Sequence, residues 1–450
     1  MSKTSIAYVC QSCGSEFNQW QGKCADCGEW NALIENIPSA RKKASSKLLS
    51  LNQASVIKKL SDISFEQEAR ISSRLSELDR VLGGGLVHGS VILIGGSPGA
   101  GKSTLLLQVL TSLSEKEVCL YVTGEESLQQ VAMRAERLGF SKQPLNLIAE
   151  TQVETIIHLA AALKPAVMVV DSIQTVFTEE VPSAPGSVSQ VRESAAHFTR
   201  FAKSTGTIVI LVGHITKDGI LAGPKVLEHM IDCSLMLEGD ENNRFRTLRS
   251  HKNRFGAVNE IGIFAMLETG LKEVKNPSAI FLSGRCEDMS GTVVTVIWEG
   301  SRPLLIELQA LVDESVGDTP RRLTVGTDSQ RLAMLLAVLH RHGKIAIFNQ
   351  DVFANVVGGV KITETSADLA LLLAIASSFQ DKKIPNDCIV FGEVGLNGEI
   401  RPVSNGIERV QEAAKHGFTK AIVPKANAVR KIDNIEIIAV TKLTEALDYI

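Results

Sequence analysis

The chain lacks any apolar run long enough to cross a membrane. Spanning the hydrocarbon takes roughly 18–20 uninterrupted apolar residues, whereas the longest candidate, residues 367–379, is shorter and carries Asp368. The N-terminus lacks the basic-then-apolar pattern of a secretion signal, so a cytoplasmic location with no membrane partner is expected. A protein-wide basic field is also missing: the formal net charge is −3, so any nucleic-acid contact must come from local patches. Residues 1–60 hold such an excess, with eight Lys/Arg (3, 23, 41, 42, 43, 47, 58, 59) against four Asp/Glu (16, 26, 29, 35). Cysteine is sparse outside one cluster. Of eight cysteines four lie in the first 27 residues, and Cys119, Cys233, Cys286 and Cys388 are scattered in apolar surroundings, as expected of small buried hydrophobes. With 450 residues, 44% hydrophobic and 22% charged, the chain has the composition of a soluble globular protein and is too long for one core. Two or three domains follow.

One segment carries unmistakable chemistry. Gly96-Ser97-Pro98-Gly99-Ala100-Gly101-Lys102-Ser103 fits G-x-x-x-x-G-K-[ST]. The apolar strand pattern Val91-Ile92-Leu93-Ile94 precedes it, and an apolar helix pattern, Leu105 to Leu110, follows. In that context the glycines let backbone N–H groups turn inward around phosphates, with the helix dipole adding to the attraction. Residues Gly96 to Thr104 are therefore expected at ATP. Lys102 would reach the β/γ-phosphates, and Ser103 would hold Mg²⁺ through its hydroxyl.

The N-terminal cysteines form two C-x2-C knuckles, Cys10/Cys13 and Cys24/Cys27, ten residues apart. That spacing suits tetrahedral Zn²⁺ with four thiolates. Two disulfides would be disfavoured in a reducing cytosol, and a redox pair is the other alternative. So short a module cannot build a core around Trp20 and Trp30, so the metal would supply its folding free energy. With every position used by protein, contact with a partner or DNA is its expected task. Residues 1–36 are read as this zinc finger. Residues 37–59, rich in Ser, Ala, Lys and Arg, are read as a basic flexible linker.

Between 60 and 275, apolar strands alternate with helical stretches, which indicates a parallel sheet with helices on both faces. Ligands of such sheets bind beyond the carboxyl ends of the strands, and each strand here ends in a polar residue. Val118–Val122 leads to Glu125 and Glu126, Ala166–Val170 to Asp171, and Ile208–Val212 to His214. Asp171 is expected to ligate Mg²⁺. Glu125, or alternatively Glu126, would orient and deprotonate the attacking water. His214 would sense the γ-phosphate or serve structure alone.

These strand ends resemble the RecA-type ATPase core. The four-cysteine cluster with Trp30-Asn31, Leu75-Ser76-Glu77-Leu78-Asp79-Arg80-Val81-Leu82-Gly83-Gly84-Gly85, the phosphate loop, Gly124-Glu125-Glu126-Ser127 and Lys252-Asn253-Arg254-Phe255-Gly256 together resemble the bacterial RadA (Sms) family of DNA repair proteins over essentially the whole chain. The pentapeptide is that family's hallmark; Ser97 departs from its usual acidic residue. The resemblance implies a DNA-dependent ATPase of recombinational repair. It would be a homo-oligomeric ring, a hexamer, moving on single-stranded DNA and promoting branch migration of branched intermediates alongside the RecA recombinase. A regulatory ATPase that recruits partners without translocating is the competing reading. Lys252 and Arg254 would then reach a neighbour's γ-phosphate, or contact DNA phosphates. Loops 178–189 and 216–225, the latter with Lys217 and Lys225, would face DNA, tracking backbone rather than stacking bases because neither is rich in aromatics.

Residues 276–450 again mix strands and helices, and the stretch Gly392 to Val403 resembles the Lon protease domain. The expected architecture is thus a RecA-like parallel-sheet ATPase core, a small N-terminal zinc ribbon and a C-terminal α+β Lon protease-like domain. Ser366 falls where Lon places its nucleophile. The lysine expected at 407 or 408 is replaced by Ile407 and Glu408, and neither accepts the serine proton. Peptidase activity is therefore not expected, and Ser366 is read as a helix-start residue.

Overall fold

The computed structural model describes residues 7–10, 16–17, 19–25, 28, 30, 33–36, 70–214, 227–239, 244–258, 260–282, 289–315, 317, 319–358, 360–428 and 431–450. The chain divides into two compact units, Met1–Val274 and Lys275–Ile450.

At the start of the first unit, strands β1 (Ala7–Cys10), β2 (Glu16–Phe17) and β3 (Leu33–Asn36) form a three-stranded antiparallel sheet of order β2-β1-β3. Cys10 and Cys24 are buried in one small cluster with Leu33. Cys13 and Cys27 lie outside the described residues.

The main sheet of this unit has nine strands, in the order β12-β11-β10-β9-β4-β8-β7-β5-β6. Its parallel part comprises β4 (Val91–Gly96), β5 (Cys119–Thr123), β6 (Asn146–Ala149), β7 (Val167–Asp171), β8 (Ile208–Val212) and β9 (Cys233–Glu238). Strands β4, β5, β7 and β8 are buried along their whole length, as expected when helices cover both faces. Successive residues then serve opposite cores. Ile92, Ile94, Tyr121, Val169 and Ile210 pack with residues of α1 (Ser76–Leu82), α2 (Lys102–Leu113) and α3 (Leu128–Arg137). Leu93, Leu120, Met168 and Leu211 pack with residues of α4 (Val153–Leu163) and α5 (Val188–Thr205).

The expected parallel sheet is extended by an antiparallel meander, β9 to β10 (Phe245–Asn253), β11 (Ile261–Leu267) and β12 (Gly270–Glu273). In consequence Lys252 lies inside β10. Two of the motif stretches meet here. A Cβ on Gly83 would come within 2.9 Å of Gly256 Cα, and one on Gly256 within 2.7 Å of Gly83 Cα. Asn253 Nδ2 donates to Val81 O at 3.2 Å, and Arg70 Nη2 to Phe255 O at 2.9 Å.

The second unit holds a mixed sheet of order β15-β16-β14-β13-β17-β20-β21. Its strands are β13 (Thr292–Glu299), β14 (Arg302–Glu314), β15 (Arg322–Val325), β16 (Gln350–Val356), β17 (Cys388–Val390), β20 (Lys420–Pro424) and β21 (Glu436–Val440). A separate hairpin pairs β18 (Glu393–Val394) with β19 (Ile400–Arg401). The helix Asp368–Gln380 is buried from Asp368 through Ser377, which explains why its sequence is apolar on all sides rather than striped.

Candidate nucleotide site

The phosphate loop leaves the buried end of β4 and enters α2 at Lys102. Gly99 (φ 78°) and Gly101 (φ 104°) occupy the left-handed region, which costs glycine little and other residues much. A Cβ on Gly101 would also lie 2.5 Å from Met266 Cε. Lys102 is 4% exposed, and its Nζ donates to Gly96 O at 2.8 Å and Ser97 O at 3.0 Å. Burial lowers its pKa, and the nearby Asp171 and Glu125 carboxylates partly offset that. The lysine thus stands over the loop with two acidic groups close by.

Those carboxylates come from neighbouring strand ends. Asp171 closes β7, and its Oδ2 accepts the Tyr121 hydroxyl at 2.5 Å. Burial and then Asp171 itself push the Tyr121 pKa well above its ordinary value, so the phenol stays a proton donor. Glu125 Oε1 accepts from Ser172 Oγ at 2.5 Å and lies 3.3 Å from His214 Nε2. Among the described residues the buried His214 Nδ1 has no hydrogen-bond partner. Glu126 faces elsewhere: its carboxylate is paired with Arg134 on α3, while its backbone turns on Thr123. The geometry therefore separates two adjacent glutamates that sequence leaves equivalent. Tyr121 and Ser172 were not singled out from sequence. Ser172 could have been, as the hydroxyl directly after Asp171.

The buried Gln190 side chain helps to fasten loop 178–189. The Gln190 amide donates to Thr178 O, Val181 O and Ser183 O and accepts from Thr178 N. Lys217 and Lys225 lie outside the described residues.

Lys252 and Arg254 stand away from the phosphate loop. Lys252 pairs with Ser234, which pairs with Leu93, whereas Gly96, where the loop begins, pairs with Leu237. Lys252 Nζ donates to Ile231 O at 2.8 Å and to Glu228 O. The Arg254 backbone N–H donates to Asp232 O at 3.1 Å, and Asp232 N to Val91 O at 2.9 Å. Both cations thus cluster toward the start of β4. At 3.3 Å per residue they lie about 10–16 Å along the strands from their own phosphate loop.

The second unit places Ser366 beside a buried arginine and a glutamate. Ser366 is 2% exposed and sits in a short 3-10 turn, Thr365–Ala367. Its hydroxyl donates to Glu364 Oε1 at 2.5 Å rather than capping the helix that follows, so the helix-start reading is corrected. The basic side chain that meets Ser366 belongs to Arg409, next to the expected positions 407 and 408. Arg409, 0% exposed, donates through Nη1 to Ser366 Oγ at 3.1 Å and to Glu364 Oε1 at 2.8 Å, and through Nη2 to Glu364 Oε2 at 2.8 Å. A guanidinium cannot accept the serine proton, and the hydroxyl is committed to a carboxylate that Arg409 already neutralises. The residues at 407 and 408 are half-buried and exposed respectively.

Comparison with known proteins agrees with this anatomy. A family model described as AAA domain matches residues 57–219, one described as Rubredoxin metal binding domain matches 8–35, and one described as Subunit ChlI of Mg-chelatase matches 332–427. The DNA repair protein RadA of Haemophilus influenzae is 60% identical over 446 residues, covering 98% of this chain and 97% of the relative. The chain belongs to the DNA repair protein RadA family. The RadA proteins of Escherichia coli and Bacillus subtilis are 59% and 46% identical, each over 98% or more of this chain and 97% or more of their own length. Among solved structures, a KaiC-like protein of Pyrococcus horikoshii aligns at 18% identity with a TM-score of 0.39, over 46% of this chain and 99% of its own. The fold is a RecA-like P-loop ATPase core with an N-terminal zinc ribbon and a C-terminal Lon protease-like domain. Among the described residues no helix is long and apolar enough to cross a membrane.

Proposed function

We propose that this RadA-family chain is a DNA-dependent ATPase of recombinational repair. It works as a hexameric ring with nucleotide at each protomer boundary, moves on single-stranded DNA, and extends branched intermediates alongside the RecA recombinase. The sheet register around Arg254 carries the reading. Lys252 and Arg254 sit about 10–16 Å along the strands from their own phosphate loop, so they cannot assist their own site. The Arg254 side chain is 55% exposed, as a cation serving a neighbour must be. DNA phosphates are the other acceptor it could serve.

Within one protomer the N–H groups of Gly96–Thr104 bind the triphosphate, and Lys102 stabilises charge on the β- and γ-phosphates. Asp171 and Ser103 offer hard oxygen ligands suited to Mg²⁺, which when bound neutralises charge between those phosphates. Tyr121 fixes the Asp171 carboxylate. Glu125, oriented by Ser172 and His214, aligns the attacking water and takes its proton. Arg254 of an adjacent protomer stabilises the charge that builds up in transfer. In the ribbon, Cys10, Cys13, Cys24 and Cys27 hold Zn²⁺, and the joint burial of Cys10 and Cys24 fits convergent thiolates. Working boundaries are 1–36 for the ribbon, 37–59 for a basic linker, 60–275 for the ATPase and 276–450 for a non-proteolytic Lon-like domain. Lys217 and Lys225 contact DNA phosphates.

The test is the ATPase rate with and without single-stranded DNA for the wild-type chain, Lys102→Ala and Arg254→Ala. Wild type should be stimulated and both variants inactive, and mixed rings of the two variants should regain activity. A wild-type rate indifferent to DNA would sink the motor. Absence of rescue in verified mixed rings would sink the shared site.

A further inference from the structure

The carboxylate that holds Arg254 is buried and has a second cation. Asp232 is 2% exposed. Its Oδ2 accepts the Val91 backbone N–H at 3.0 Å and Lys203 Nζ at 2.7 Å, while its Oδ1 accepts Arg254 Nη1 at 3.2 Å. The two cations are bound unequally. Lys203, from the last turn of α5, makes the short contact. Arg254 makes one long contact, although a guanidinium can grip a carboxylate through two parallel N–H bonds. A buried carboxylate left to one partner would draw that partner into the tighter grip, because uncompensated buried charge is costly. Lys203 removes that demand.

We propose that Asp232 and Lys203 are positioning residues for Arg254. Asp232 fixes where the guanidinium stands at the protomer edge. Lys203, by neutralising Asp232, leaves the other N–H donors of Arg254 available to an anionic oxygen. This rests on the reading above, in which that oxygen belongs to a neighbour's triphosphate. The arrangement has a further merit. When Arg254 turns to the phosphate, Asp232 keeps its contacts to Lys203 and Val91, so no bare buried charge opposes the movement. Sequence gives no hint of this trio, whose partners lie 29 residues before and 22 after Asp232.

The experiment measures kcat and KM for ATP at saturating single-stranded DNA, and DNA affinity, in the full-length chain. The variants are Lys203→Met, Lys203→Arg, Asp232→Asn, Lys203→Met/Asp232→Asn and Arg254→Ala. Lys203→Met should lower kcat about tenfold with KM little changed, the size of one charge-assisted hydrogen bond diverted. Lys203→Arg should restore it. The double variant should return to within about twofold of Asp232→Asn alone, because a neutral carboxamide cannot capture Arg254. A purely structural lysine would not be rescued by that second substitution. If Arg254→Ala loses kcat or DNA affinity while Lys203→Met loses neither, or if the double variant stays as slow as Lys203→Met, the positioning role is wrong. If Lys203→Met and Arg254→Ala both keep kcat and both weaken DNA binding, the positioning role stands, its partner is DNA, and the shared nucleotide site is the reading that fails.

Discussion

Replacing Arg409 by methionine removes a buried cation while keeping most of its volume. The guanidinium donates to Glu364 through both terminal nitrogens, to Ser404 O through Nε and to Val296 O through Nη1. It also lies 6.0 Å from the Trp298 ring and 5.9 Å from the Phe391 ring. Cutting one partner from a buried ion pair costs about 3–5 kcal/mol. The Glu364 side chain is 27% exposed, so water recovers part of the loss and about 3 kcal/mol is expected. With a urea dependence of about 2–3 kcal/mol per molar for a unit of this size, the midpoint should fall by about 1–1.5 M. Trp298 is the one tryptophan of the second unit, the other two being Trp20 and Trp30. Its fluorescence in the full-length chain reports this transition directly. Adding Glu364→Leu should recover much of the loss, because the uncompensated carboxylate goes with it. A cost of Arg409→Met under about 1 kcal/mol, with the midpoint unmoved, would refute the view that this buried ion pair holds the Ser366 region together.

Glu125→Gln should lower kcat about 10²–10⁴-fold while nucleotide still binds, whereas Glu126→Gln should change kcat little; steady-state ATPase assays and equilibrium nucleotide titration separate the two. Cys24→Ser should release bound zinc, measured by metal analysis of the purified chain, with phosphate-loop nucleotide binding retained because the few buried residues of the ribbon are separate from the clusters that pack the main sheet. Gln190→Ala should leave three loop carbonyls without their shared donor and cost about 1–3 kcal/mol; limited proteolysis should then cut between Thr178 and Ser189 faster than in the wild type.

Much of the candidate nucleotide site was legible because its chemistry is local. The phosphate loop is contiguous, and strand ends announce themselves where apolar runs meet Asp171, Glu125 or His214. The meander was not legible. Along β10, buried and half-buried positions alternate, yet the inward-facing residues include Arg246 and Ser250 alongside Leu248. A strand whose core face carries an arginine and a serine hides the period-2 apolar signal. Arg409 was missed for another reason. The resemblance points to positions 407 and 408, but the helix Gly406–Lys415 turns only Gly406, Arg409, Val410 and Ala413 fully inward. A helix samples one face every three or four residues, so an offset of one or two residues changes the answer from solvent to core. Asp232 was invisible because a buried charge is defined by its partners, and those come from distant segments.

The pentapeptide from Lys252 to Gly256 can now be read atom by atom. Lys252 spends its ammonium on the carbonyls of Glu228 and Ile231. Asn253 spends its amide on Val81 O and on the Phe255 N–H. The Phe255 carbonyl accepts from Arg70. Gly256 must lack a side chain because Gly83 occupies that space. Four of the five positions are therefore consumed locally, tying the end of β10 to α1 and to the segment that leads into β9. Arg254 differs: among the described residues one N–H of its guanidinium is engaged, and its side chain is half exposed. Substitutions at Lys252, Asn253 or Gly256 should then act through Arg254, by tilting the platform from which it projects. On this view Lys252 contributes to catalysis or DNA binding as an anchor, and its pKa, lowered by burial and then by Arg254, belongs to an amine sunk among carbonyls rather than one reaching outward for phosphate.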